Sequence, residues 1–294
     1  MTPDPSGAAP GGAVPPGESS AGAPAGDPLP GGPSPGPAPA GAVEAGPAPA
    51  GAVEGGSAPA GAVEAGPASA GAVEGGPASA GPAPAWLTEL AADAGRMVVP
   101  PRLRAPDRGG RASAVLLLFG ETAGYPDLLI VQRGPHLRRH AGQPAFPGGA
   151  IEPSDNGPVG AALREAAEEV GVDPAGVEVL AVLPELYILR SGFRVTPVLA
   201  WWRRPSPLVA AADGEIVSAA RARLADLADP ANRLSVRHPS GAAGPAFRVH
   251  GMLVWGFTAM LVDRLLALGG WELPWDTGRE EDLPPDVLDA AARS

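Results

Sequence analysis

GGAIEPSDNGPVGAALREAAEEVGV, residues Gly148 to Val172, sets the reading of the whole chain. Val159, Ala162, Leu163, Ala166, Ala167 and Val170 recur at i, i+3, i+4 and i+7, the spacing that lines one helix face with buried side chains. It predicts a helix from about Val159 to Val170. Glu165, Glu168 and Glu169 stand at i, i+3 and i+4, so their carboxylates converge on a neighbouring face. Like charges at those spacings each cost about 0.2–0.5 kcal/mol in an isolated helix. Only Arg164 is placed to offset them, in the weaker Arg-before-Glu order to Glu168. Clustered carboxylate oxygens without Lys partners suit a hard divalent cation, because Mg²⁺ takes a few carboxylates and keeps water and phosphate oxygens as its other ligands. Taken alone, three glutamates on a helix are more often a solvated face.

On either side lie strand signals. SAVLLLFG (113–120) and DLLIVQR (127–133) are compact runs of Val, Leu and Ile parted by a Gly-Tyr-Pro turn, the pattern of adjacent strands. Val177 to Ile188 and Phe193 to Trp202 read as two more strands. A short helix is expected from Trp86 to about Gly95, and a long apolar one from Gly251 to Leu268; Ala219 to Leu227 fits neither state cleanly. Strands flank the first helix without regular β-α-β alternation, so a mixed-sheet α/β/α sandwich fits better than a Rossmann domain. No Gly-rich dinucleotide or P-loop signature follows a strand.

Composition divides the 294 residues in two. Residues 1–85 hold 20 of the 42 Gly and 19 of the 39 Pro, no aromatic residue and no basic one. From Gly36 they repeat with a ten-residue period of the form GPAPAGAVEA. Such a segment cannot bury enough apolar surface to offset its backbone entropy of roughly 1–2 kcal/mol per residue. One Val per ten residues gives no face for solenoid stacking. Residues 1–85 therefore read as a disordered Pro/Gly/Ala-rich tail, either a spacer arm or a tolerated product of repeat slippage. Residues 86–294 read as one domain.

Charge and residue usage exclude several classes. The whole chain is −11, but seven of the 32 acids lie in the tail, leaving the body 25 acids against 21 bases, a net −4. A mildly acidic body is not a general nucleic-acid binder. With no Cys there is no disulfide, thiol nucleophile or zinc-thiolate site. The longest apolar stretch, Met252 to Val262, is too short to span a bilayer, and the N-terminus has neither basic patch nor apolar run. A cytoplasmic protein without membrane or nucleic-acid partners is expected, and a homodimer is compatible with the sequence.

The Gly148-Gly149 pair at a strand end, Arg164-Glu165, and Glu168-Glu169 before Val170-Gly171 resemble the box of the Nudix hydrolases. The general pattern sets its Gly fourteen residues before the Arg; here Gly149 to Arg164 is fifteen, as in the coenzyme A pyrophosphatase subgroup. LLIVQRGPHLRRHAGQPAFPGG (128–149) is similar to the second signature of that subgroup. It keeps Arg133, Leu137, Arg138, His140, Gly142, Gln143, Phe146, Pro147, Gly148 and Gly149, and departs at Ile130, Gly134 and Pro144. SGFRVTPVLA (191–200) and VWGFTAMLV (254–262) look like further landmarks, so the resemblance spans about residues 86–275.

The resemblance implies a Nudix-type sandwich that hydrolyses the diphosphate of coenzyme A or its thioesters to adenosine 3′,5′-bisphosphate and (acyl-)4′-phosphopantetheine. Mg²⁺ or Mn²⁺ would be held by Glu165, Glu168 and Glu169, with Glu165, Glu168 and Arg164 serving catalysis. Arg164 would orient the carboxylates, and Glu165 and Glu215 are both candidates for the base. Gly148 and Gly149 would admit the metal-diphosphate close to the backbone. Arg133, Arg138 and His140, with Arg139, suit substrate phosphates, since Arg forks pair well with phosphate; a solvated loop pairing with local acids is the plainer reading. His136 reads as surface, His238 and His250 as structural, and Trp201, Trp202 and Trp255 as core. Another nucleoside diphosphate derivative, such as ADP-ribose or NADH, is the rival substrate. A Nudix-fold module that binds nucleotide without turnover is the rival class.

Overall fold

In the computed structural model the described residues are 81–106, 109–137, 140–189, 191–211, 214–285 and 287–288. The expected disordered tail, apart from residues 81–85, lies outside them. The apolar run at 113–120 becomes β1 (Arg111–Thr122), the centre of a mixed sheet. It pairs antiparallel with β2 (Tyr125–Arg133) through Phe119↔Leu128, and parallel with β7 (Phe193–Trp202) from Arg111↔Phe193 to Phe119↔Trp201. Outward from β7 lies β5 (Val177–Val182), and outward from β2 lie β3 (Pro144–Ala145) and β8 (Ile216–Arg223). Two short strands complete the sheet, β4 (Gly148–Ala150) on β1 and β6 (Leu186–Ile188) on β7.

Side chains alternate along β1, so the sheet separates two cores. Leu116 and Leu118 face α2 (Gly157–Val170), whose Ala161, Ala162, Ala166 and Val170 are fully buried against them. Leu117 and Phe119 face the other way, toward α1 (Ala85–Gly95) and α4 (Gly256–Leu268). The adjacent Trp201 and Trp202 split in the same manner, one into each core. Trp255 packs partly buried against a third cluster. The result is the expected α/β/α sandwich with a mixed sheet.

The helix of the decisive stretch starts two residues earlier than its apolar stripe, at Gly157-Pro158, because proline suits the first helical turn. It ends at Gly171, whose φ of 72° breaks the helix while the Val172 N–H donates back to Ala166 O. Other expectations are corrected. The single strand read over Val177 to Ile188 is two, split at Leu183-Pro184-Glu185, where proline has no N–H for a ladder. Gly251 to Leu268 is not one helix: Met252–Val254 is β11, and the helix begins only at Gly256. Ala219 to Leu227 straddles the end of β8 and the short α3 (Leu224–Ala228).

A second sheet, not read from the sequence, runs β11-β10-β9-β12, with β9 Arg233–Arg237, β10 Ala243–Val249 and β12 Glu280–Asp282. Phe247 and Val254 of this sheet join the α1/α4 core. Arg233 is buried there, paired with Asp263 of α4 and with its guanidinium 4.8 Å from the Trp275 ring. A second buried pair ties β2 to β8: Arg221 Nε donates to Asp127 Oδ1 at 2.9 Å, and Thr122 Oγ1 donates to the other oxygen at 2.6 Å. Burial pushes the Asp127 carboxyl above its ordinary range, with Arg221 pulling back.

Candidate active site

One turn of α2 and the strand it covers build the site. Because α2 packs Ala161, Ala162 and Ala166 onto the sheet, its backbone runs close to β4. Gly148 N–H donates to Glu169 Oε2 at 3.2 Å. The Glu165 carboxylate lies over Gly149, where a Cβ would stand 2.5 Å from Glu165 Cδ and nearer still to Oε1. The two glycines thus form a floor against which both carboxylates sit, Glu165 over Gly149 and Glu169 on the Gly148 N–H. Gly148 admits no side chain either: its Cβ would lie 2.7 Å from Val115 Cα in β1.

Arg164 is the scaffold of the cluster. Its fork reaches Asp155 twice, Nε to Oδ1 at 2.9 Å and Nη2 to Oδ2 at 3.1 Å. It also donates to Ala150 O at 3.1 Å and to Glu168 Oε2 at 3.0 Å, and stands 3.1 Å from Glu165 Oε1. Bidentate pairs of this kind fix both partners' orientation. Arg164's hydrogen bonds, then the Glu152 N–H, hold the Asp155 carboxyl below its usual range. Asp155 was not read from the sequence; an acid in the loop nine residues before Arg164 was the available signal.

The three box glutamates separate. Glu169 is 5% exposed, and burial pushes its carboxyl up to about 8 against the pull of Arg133 and the Gly148 N–H, with Glu165 and Glu215 adding repulsion. Glu165 is half-buried and also raised, first by burial, with Glu168 and Glu215 adding to it and Arg164 opposing. Glu168 is exposed and turned to Arg164. Glu215, just before β8, is linked to Glu169 through Arg133 instead, and its charge also bears on Glu165. Among the described residues no three His, Asp or Glu side chains converge as a ready cation cage.

The loop after β2 closes beside these carboxylates. Gly142 N–H donates to Gly134 O and Gln143 N–H to His140 O, with His140 at φ 53° and its Nδ1 3.0 Å from Gln143 Oε1. The His136 ring lies against Gly134 and Gly214, next to Glu215, nearer the site than the sequence reading placed it. Arg138 and Arg139 lie outside the described residues. His238 and His250 stand far along the chain in the second sheet and its turn.

Residues 109–239 match the NUDIX domain. Over 172 residues the chain is 38% identical to the protein named Uncharacterized Nudix hydrolase NudL of Citrobacter koseri, covering 56% of this chain and 86% of that one. A protein of the same name from Klebsiella aerogenes is 48% identical over 99 residues, 34% of this chain and 81% of that one. The Escherichia coli K12 counterpart is 46% identical over 99 residues, 34% of this chain and half of its own length. Among solved structures, a Nudix hydrolase from Alicyclobacillus acidocaldarius aligns with TM-score 0.35 at 18% identity, covering 55% of this chain and 93% of that one. The chain belongs to the Nudix hydrolase family, pyrophosphohydrolases that use divalent metal ions. No described helix is long and apolar enough to cross a membrane.

Proposed function

We propose that this Nudix hydrolase splits the diphosphate of coenzyme A or acyl-coenzyme A into adenosine 3′,5′-bisphosphate and 4′-phosphopantetheine or its acyl form, with Mg²⁺ or Mn²⁺. The observation that carries the reading is the pairing of Glu165 and Glu169 over the side-chain-free Gly148-Gly149 floor. Two carboxylates brought together at one strand end, Glu169 on the Gly148 N–H and Glu165 over Gly149, are the oxygen donors a hard cation takes beside phosphate oxygens. When bound, the cation neutralises phosphate charge and acts as a Lewis acid on the diphosphate.

The chain's own residues do the rest. Glu165 and Glu169 would hold the cation, Glu168 would be a further ligand, direct or through water, and Arg164 fixes Glu165. Water oxygen attacks one phosphorus, the bridging P–O bond breaks, and the water proton passes to a carboxylate, Glu165 or Glu215. The loop carrying Arg138 and His140 meets the 3′-phosphate that sets coenzyme A apart from ADP-ribose and NADH. The catalytic domain extends back to residue 81, because Trp201 Nε1 donates to Gly81 O and Ala83 packs on the core.

The test is incubation of the full chain with coenzyme A, NADH and ADP-ribose under each metal, with products identified by mass. Cleavage of coenzyme A to adenosine 3′,5′-bisphosphate and 4′-phosphopantetheine is expected. Brisk cleavage of ADP-ribose with coenzyme A left intact refutes the substrate, and turnover of none of the three refutes the enzyme.

A further inference from the structure

Arg133 ends β2 where the pairing with β8 slips, between Gln132 and Arg133. Irregularities of this kind re-aim a side chain beside active sites. The slip leaves Gly134 N–H donating to Glu215 O at 2.8 Å, so the backbones of Arg133 and Glu215 are locked side by side. From there the Arg133 fork engages two acids from different elements. Nη2 donates to Glu215 Oε1 at 2.6 Å, and Nη1 stands 3.6 Å from Glu169 Oε1. Its Nε is enclosed without a hydrogen-bond partner, and the side chain as a whole is 19% exposed. Both terminal nitrogens therefore face carboxylates of the site, one in a hydrogen bond and one in a longer ion pair. The sequence had assigned this arginine to substrate phosphate.

We propose that Arg133 is the resident counter-ion of the carboxylate site, a positioning residue that shares its charge between Glu169 and Glu215 and that a divalent cation must work against to bind. This rests on the reading of Glu165 and Glu169 as the cation-holding pair. The physical consequence has a definite sign. Two like charges a few ångströms apart in a partly buried site repel, so neutralising Arg133 strengthens cation binding. A proton gains from the same change, but a divalent cation gains twice as much per unit of potential, so tighter metal binding survives proton competition. A purely structural role has the opposite sign, because loosened carboxylates bind metal more weakly.

The experiment is calorimetric titration of the metal-stripped full chain with MnCl₂, comparing wild type with Arg133→Gln, Arg133→Met and Arg133→Lys. The two neutral variants, which guard against one failing to fold, are expected to bind Mn²⁺ roughly three- to tenfold tighter. Arg133→Lys keeps the charge and is expected to stay within about twofold of wild type. Equal or weaker binding by the neutral variants overturns the proposal, as does equal tightening by Arg133→Lys. Mn²⁺ bound by none of the four chains sinks both this proposal and the metal site. Failure to cleave coenzyme A with the calorimetric pattern intact sinks only the substrate.

Discussion

Adding one methyl group to either floor glycine separates chemistry from folding. At Gly149 the atoms nearest the new Cβ all belong to the end of the Glu165 side chain, Oε1 first, then Cδ at 2.5 Å and Oε2 at 2.9 Å. Ordinary carbon–carbon contacts lie near 3.5–4.0 Å, so the carboxylate must retreat by about 1 Å. It is the far end of a side chain and not backbone, so the carboxylate gives way rather than the main chain. A misplacement of about 1 Å in a reacting group costs on the order of 100-fold in rate. Gly149→Ala is therefore expected to lose about 100-fold in kcat/KM on the diphosphate substrate, while its Tm stays within about 2 °C of wild type. At Gly148 the Cβ would instead press on β1 backbone, 2.7 Å from Val115 Cα, which no rotamer relieves. Overpacking of that kind costs about 1–3 kcal/mol, or roughly 2–12 °C in Tm for a domain of this size. Thermal melting and steady-state kinetics on both variants give the answer. The reasoning is refuted if Gly149→Ala keeps wild-type kcat/KM, or if it melts as low as Gly148→Ala.

Three other outcomes follow from the same contacts. The folded Glu169 carboxyl is raised to about 8 from an unfolded value near 4.3, so the folded state holds its proton more tightly. The stability this gives the metal-free protein is full below about pH 4.3 and is lost as pH rises through about 8; in urea melts from pH 5 to 9, Glu169→Gln is expected to flatten that decline. For the buried pair of β2 and β8, Asp127→Asn strands Arg221 and is expected to cost about 3–5 kcal/mol, whereas the double change Asp127→Leu/Arg221→Met is near neutral; equal losses from both in urea melts would contradict the burial argument. Removing residues 1–80 is expected to leave the turnover number within about twofold, because among the described residues Gly81 and Ala83 already tie into the core, and a larger loss would place the tail in the enzyme.

What the sequence showed depended on how local each signal was. The α2 stripe and the runs in β1, β2 and β7 are continuous in the chain and were placed within a few residues. Pro184 broke a strand that apolar content alone joined. RLSVR and AGPAFRV of the second sheet are short, carry arginines and lack clean apolar alternation, so neither reads as a strand until the antiparallel ladder from Ala243↔Arg237 to Phe247↔Arg233 brings them together. In the site, Glu165, Glu168, Glu169 and Arg164 were visible by spacing and resemblance. Asp155 was not, since its bond to Arg164 depends on the turn before the helix. Arg133 was visible as a residue but not in its pairing, because Glu215 lies 82 positions away and arrives only through the β2–β8 ladder.

The sheet that divides the two cores also divides their burdens. On one side small alanines let a helix approach so closely that a methyl group matters. On the other, Leu, Phe and Trp fill a broad seam beneath α1, α4 and the second sheet. Leu117 and Leu118 are neighbours in the chain yet answer to different tenants, so the outer seam is free to accept insertions, altered loops or a new docking surface while β1 keeps the diphosphate side to its tolerances. Such a wall lets a lineage rebuild the back of the protein without disturbing the chemistry in front.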